Sequence, residues 1–223
     1  MPRTARFAPG GVILHVLNRA NAGVRIFEDH RDYEAFEQVM AETLEHIPVR
    51  VLTYCLMPNH WHMVLWPNED GQMGTFMQRL TVTHVRRWHA HRHSAGTGHL
   101  YQGTYKSFPI QNDAHLLAAC RYVERNPLRA RLVERAECWR WSGLWWRVSH
   151  REEASLLTPW PVQRPPDYIE WVNQPQTAQE LDEIRQCVTR GRPYGNHDWQ
   201  RQTAGLLGLE STLRPRGRPR KRG

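Results

Sequence analysis

Two histidines one residue apart, His60 and His62, sit in the apolar run Pro58-Asn59-His60-Trp61-His62-Met63-Val64. On a β-strand, side chains at i and i+2 share a face, roughly 7 Å apart along the chain. Two imidazoles so placed can bind one divalent metal, while Trp61 points to the other face and packs beneath the sheet. By itself such a pair more often just lines a sheet. Further along, Tyr122 and Asn126 stand four apart in Cys120-Arg121-Tyr122-Val123-Glu124-Arg125-Asn126-Pro127-Leu128-Arg129-Ala130. On a helix this spacing puts phenol and amide on one face. Pro127 should stop the helix at its predecessor, leaving the Asn126 oxygen free on the last turn. By itself this is a core tyrosine followed by an ordinary helix stop. Together the two groups make one chemical sense. A phenol with a pKa of about 10 is a weak nucleophile at neutral pH, and attack on a phosphodiester needs the phosphate charge neutralised. A metal on His60, His62 and Asn126 would hold that phosphate as a Lewis acid, and either Mg or Mn suits the donor set. Arg121, Arg125, Arg129 and Arg131 add positive charge around the phenol.

The elements that must position these groups can be read from periodicity. Residues 11–18 read as a strand that ends in a loop beginning at Arg19, and residues 29–46 read as a helix stopped by Pro48. Residues 49–56 and 60–66 read as an antiparallel hairpin about the turn at 57–59. A second helix is expected over 75–91, a strand over 100–110 and a third helix over 114–125, with Asn112-Asp113 as its cap. Strand, helix, strand, strand, helix, strand, helix is the order of an α+β protein with a ferredoxin-like or RRM-like antiparallel sheet and helices packed on it. Residues 1–150 form the expected catalytic domain. Residues 158–166 hold four prolines and read as a linker or extended wrap. Short helices are expected over 176–189 and 197–207, in an extension covering 151–213. Residues 214–223 form a basic tail with no apolar anchor, expected to be disordered when free.

The chain has 223 residues and a formal charge of +8, carried almost wholly by arginine, since lysine occurs only at 106 and 221. Arginine's planar fork matches phosphate oxygens and guanine edges, so nucleic acid is the first partner to consider, with Arg19 and Lys106 among the expected contacts. The four cysteines, at 55, 120, 138 and 187, form no paired motif. They suggest free thiols in a reducing cytoplasm rather than a disulfide framework or zinc knuckle. No stretch of the length needed to span a membrane is apolar.

Pro58-Asn59-His60-Trp61-His62, Tyr101-Gln102-Gly103-Thr104-Tyr105-Lys106 and the run from Tyr122 to Ala130 together resemble the REP-associated tyrosine transposases. These are HUH single-strand nucleases related to single-tyrosine insertion-sequence transposases. Trp139-Arg140-Trp141-Ser142 and the two Arg-Gly-Arg-Pro runs at 190–193 and 216–219 resemble that family too. The resemblance implies metal-assisted cleavage of single-stranded DNA beside palindromic hairpins, such as repetitive extragenic elements, by a monomer or homodimer. It implies a 5′-phosphotyrosine on Tyr122 and a free 3′-hydroxyl, with His60 and His62 as ligands. Asn126 would be the third ligand, where the insertion-sequence enzymes have a glutamine.

Arg216 and Arg218 match the core of an AT-hook, an extended segment that lies in a narrow minor groove. A plain electrostatic arm is the competing reading, and for Arg190-Gly191-Arg192-Pro193 a structural turn is the stronger one. The histidines at 84, 89, 91 and 93 read as a solvated helix end. The tryptophans at 139, 141, 145 and 146 read mainly as packing of a C-terminal segment on the sheet. Tyr101 and Tyr105 are rival nucleophiles without an amide at i+4. The alternative function is a non-catalytic module that binds hairpin DNA or RNA, as a domesticated repressor would.

Overall fold

Four strands form one antiparallel sheet in the computed structural model, which describes residues 8–149 and 156–214. They are β1 (Ile13–Arg19), β2 (Arg50–Met57), β3 (His60–Trp66) and β4 (Lys106–Ile110), in the spatial order β2-β3-β1-β4. Helices α1 (His30–His46) and α2 (Gln72–His91) follow β1 and β3, giving the expected ferredoxin-like α+β arrangement. Asp29 starts α1 by accepting hydrogen bonds from the Arg31 and Asp32 amides. Pro58 and Asn59 make the tight turn between the paired residues Met57 and His60.

Strand alternation sorts the side chains onto two faces. Val16, Trp61, Met63 and Leu65 face α1 and α2, where they pack with Phe36, Met40, Phe76 and Met77. His15, Leu17, His60, His62 and Val64 belong to the other register positions. That second face is covered by α3 (Ala114–Glu124), whose Leu116, Ala119, Cys120 and Val123 join Val64 and Phe108 in a second core. The sheet is therefore buried on both sides, and the helix carrying Tyr122 lies against the face that carries the two histidines.

Three elements differ from expectation. Pro127 does not end the helical run. The chain breaks at Arg125 and resumes as a further turn, α4 (Asn126–Arg129), with proline in its first turn, where no N–H is needed. Residues 101–105 are not strand, although Tyr101 makes one bridge to Ala20. His84 is not at a solvated helix end. It is buried, and its Nδ1 shares a 2.7 Å hydrogen bond with the Tyr101 hydroxyl.

Beyond α4 the chain wraps the sheet. Trp141 stacks on Tyr33 at 4.8 Å, and its carbonyl accepts from the Leu56 amide at 2.9 Å. This fits the packing role read for the tryptophans. Helices α5 (Gly143–Val148), α6 (Tyr168–Asn173), α7 (Ala178–Arg190), α8 (His197–Leu207) and α9 (Glu210–Leu213) follow. Residues 158–160 run along the edge of β2, with the Thr158 amide and the Trp160 indole donating to the Val51 and Leu52 carbonyls. Ile184, Cys187 and Tyr194 enter the same core as α3. Gly191 closes α7 with a left-handed φ of 71°, which makes Arg190–Pro193 a structural turn. Among the described residues, no helix is long and apolar enough to cross a membrane.

Candidate active site

His60 and His62 stand side by side on β3, with ring centroids 5.1 Å apart. The Tyr122 ring, carried by α3, lies 5.8 Å from the His62 ring. Asn126 follows one turn later, and all four line one cleft of about 380 Å³ together with Arg19, Leu17, Met57, Arg129, Arg185 and Thr189. The strand pair and the helix pair thus bring together the groups whose spacing suggested a joint chemistry.

Both histidines are held by their Nδ1 side. The His60 Nδ1 lies 2.6 Å from Asn59 Oδ1, an atom that only accepts, so Nδ1 carries the proton and Nε2 keeps its lone pair. The His62 Nδ1 lies 2.8 Å from Nε2 of His15, on the adjacent strand β1. Burial lowers the His15 pKa to about 3, so that ring is neutral and can accept. Burial first, then the charges of Arg19 and Arg129, lowers His60 to about 4. His62 is held well below its usual range, by burial and then by His15, His60 and the same arginines. Both rings are therefore neutral at physiological pH, the form that binds metal.

His15 belongs to no motif in the sequence. Its only signal there is a single polar side chain inside the apolar run Val12-Ile13-Leu14-His15-Val16-Leu17. Its ring stacks on Phe108 at 4.7 Å, so it reads as core until its bond to His62 is seen.

Arg129 organises the Tyr122 side of the cleft. Its guanidinium lies 4.5 Å from the Tyr122 ring centre and donates to Asn126 Oδ1 and to Gln176 Oε1. The Asn126 amide nitrogen donates to the Tyr122 and Val123 carbonyls, each at 3.2 Å, which fixes its oxygen toward Arg129. A carbonyl oxygen has two lone pairs, so one remains for a second partner. The rival tyrosines lie elsewhere. Tyr101 is buried on the opposite face, receiving the Trp61 indole N–H at 3.0 Å, and Tyr105 lines a separate groove. Glu124 is fully buried and accepts from Thr53 at 2.6 Å and Tyr168 at 2.7 Å, which ties α3 to β2 and α6. Burial pushes its pKa up.

Not every arginine faces the cleft. Arg121, expected to contact DNA, is buried and donates to the carbonyls of Trp171, Gln174 and Pro175 and to Glu180. Arg125 donates to the Val172 and Asn173 carbonyls. Both tether α6 to the helix that carries Tyr122, Arg121 also holds the turn after α6, and the Arg121 guanidinium is spent on these acceptors. Arg121→Ala is therefore expected to lower thermal stability by roughly 2–4 kcal/mol, because several buried acceptors lose their donor. Calorimetric unfolding would check this, and an unchanged melting temperature would contradict it. Lys106 is exposed and lies beside Leu17, which in turn pairs with His62. It lines the neighbouring groove of about 480 Å³ with Arg190 rather than the cleft itself. Arg216 and Arg218 lie outside the described residues.

Comparison with known proteins places this geometry in a family. Residues 10–126, from before β1 through Asn126, match the family described as "Transposase IS200 like". No curated protein matches the chain in sequence. Among solved structures, a REP-associated tyrosine transposase bound to a REP hairpin is similar in fold. It has a TM-score of 0.51 at 16% identity over 67% of this chain and 87% of that one. A putative transposase from Deinococcus radiodurans aligns with a TM-score of 0.38 at 12% identity, over 59% of this chain and 92% of that one. The matched span contains both histidines, the tyrosine and the asparagine, and the chain belongs to the IS200-like transposase family.

Proposed function

We propose that this chain is a REP-associated type of tyrosine transposase that cleaves single-stranded DNA beside a hairpin. The observation that carries the reading is the meeting of Tyr122 with two neutral imidazoles in a cleft lined by Arg19, Arg129 and Arg185 and by no carboxylate among the described residues. Such a cleft favours a polyanion. The hairpin-bound structural relative supports the choice of substrate.

The residues present fit a divalent metal. His60 keeps an Nε2 lone pair, His62 keeps one when its Nδ1 donates to His15, and the Asn126 oxygen lies in the same cleft. Mg or Mn on His60, His62 and Asn126 would supply Lewis-acid neutralisation of the scissile phosphate. All three ligands are neutral and arginines stand nearby, so cation binding should strengthen when DNA phosphate is present. Arg19 and Arg129 orient the phosphate and offset its charge. The Tyr122 oxygen attacks phosphorus and loses its proton to solvent. The bond from phosphorus to the 3′-oxygen breaks, and that oxygen takes up a proton. The DNA is left joined to Tyr122 through its 5′-phosphate, with a free 3′-hydroxyl on the other fragment. The phosphodiester energy is kept in the tyrosine ester, so the reverse attack by another 3′-hydroxyl rejoins strands.

Incubation with labelled single-stranded hairpin DNA and Mn or Mg, followed by a denaturing gel, tests this reading. A covalent protein–DNA band is expected. Retention of DNA with no covalent band under any metal would favour a binding module instead.

His15 should matter for the metal without touching it. His15→Phe keeps the ring stacked on Phe108 but removes the acceptor for His62 Nδ1. Loss of such an outer partner typically costs about 10–100-fold in metal affinity. Titration with Mn followed by electron paramagnetic resonance is expected to record a drop of that order, and unchanged affinity would make His15 a core residue only.

A further inference from the structure

The cleft is not built from the family-matched span alone. Arg185, Val188 and Thr189 line it from α7, far beyond residue 126. We propose that Arg185 binds a phosphate of the single-stranded DNA in the cleft, so that the C-terminal helix completes the substrate site. The inference rests on the reading of the cleft as a DNA-cleaving site.

The helix is fixed where it stands. Thr177 and Glu180 form a reciprocal capping box at its start, and Gly191 caps its end. Ile184 and Cys187 bury one side of it in the core shared with α3. Arg121 binds Glu180 and the preceding carbonyls, while Arg129 reaches Gln176. Arg185, Val188 and Thr189 are spaced i, i+3, i+4, so they share the strip of helix surface turned to the cleft. The distance from Arg185 to Tyr122 is therefore set by packing, as a substrate contact requires.

The charge of Arg185 is uncommitted. Among the described residues it is exposed and makes no ion pair, whereas Arg129 is already engaged by Asn126 and Gln176. Its positive charge is also close enough to act on Arg129. Two guanidiniums brought near each other, with no acid lining the cleft among the described residues, are compensated when a phosphate arrives between them. Arginine's fork suits that role. The surface continues past Val188 and Thr189 into the groove that holds Lys106 and Arg190, which gives the strand a basic path away from the nucleophile.

The test compares the full chain with Arg185→Gln and with Arg201→Gln, an exposed arginine on α8 paired with Asp198. Binding of a labelled, mixed-sequence single strand bearing a hairpin is measured across salt concentrations, and the covalent adduct is followed in parallel. Each phosphate contact to a single strand contributes about 0.7 to the slope of log affinity against log salt. Arg185→Gln is expected to reduce the slope by about that amount and to weaken binding severalfold, with an unchanged circular dichroism spectrum. Arg201→Gln should leave slope and affinity unchanged. An unaltered slope for Arg185→Gln, or an equal loss for Arg201→Gln, would overturn the inference even if the wild type forms the adduct. A reduced slope for Arg185→Gln alone, with no adduct in any form, would support the phosphate contact and refute the cleavage reading. A wild type that binds no DNA would overturn both.

Discussion

Tyr122→Phe is expected to abolish the covalent protein–DNA adduct while DNA binding persists. The substitution removes one oxygen and keeps the ring, which sits 5.8 Å from the His62 ring and 4.5 Å from the Arg129 guanidinium. Those ring contacts survive in phenylalanine, and so does the helix face that packs on the sheet. The bond-forming atom does not survive. Loss of a nucleophile removes the covalent route itself, so adduct formation should fall by at least on the order of a thousandfold. Tyr101 cannot take over. It is buried on the opposite face and committed to Trp61 and His84. A Phe variant that still forms the adduct at the wild-type rate would move the chemistry to another residue.

The second large effect is expected at the paired histidines. His60→Ala should reduce metal-dependent cleavage by on the order of a hundredfold or more, because a metal left with one imidazole and one amide loses its grip on the phosphate. His60 is half-buried and bonded to its neighbour Asn59, so the fold should tolerate its loss. His62→Ala should be as inactive but also less stable, by about 1–3 kcal/mol, since the buried His15 Nε2 loses its partner. Single-turnover cleavage at several Mn concentrations, with thermal unfolding alongside, separates the two effects. Recovery of His60→Ala at high Mn would agree with a weakened ligand set. Full activity of both variants at all Mn levels, or of the wild type in chelator, would remove the metal from the account.

The placement of the candidate site residues is legible in the sequence where it obeys a local period. The two-residue repeat puts His60 and His62 on one strand face, and the four-residue repeat puts Tyr122 near Asn126 on one helical side. The ferredoxin-like order follows from the same periodicities. What the sequence does not disclose depends on contacts between distant segments. Arg121 and Arg125 look like a basic patch in one dimension, yet the Arg121 guanidinium is taken up by Glu180 and by carbonyls of residues 171–175, and Arg125 turns one nitrogen to the Val172 and Asn173 carbonyls. His15 resembles a core residue because its partner lies on a neighbouring strand. His84 looks solvated because a run of histidines masks its place opposite Tyr101. Helix α7 is visible as a helix, but nothing in its periodicity indicates that it docks beside Tyr122. Pro127 looks like a stop because proline disfavours the residue before it from continuing a helix. The break falls one residue earlier, at Arg125, and Asn126, the residue before the proline, is itself the first of a new turn that holds Pro127 where no N–H is needed.

The central claim is that the DNA becomes joined to the Tyr122 oxygen. Proteolysis of the gel-purified adduct, nuclease trimming of the DNA and tandem mass spectrometry locate the linkage directly. The expected product is a nucleotide attached through its 5′-phosphate to the peptide bearing Tyr122, and to that residue within it. A linkage at Tyr101, Tyr105 or any other side chain, or a 3′-phosphate linkage, would contradict it.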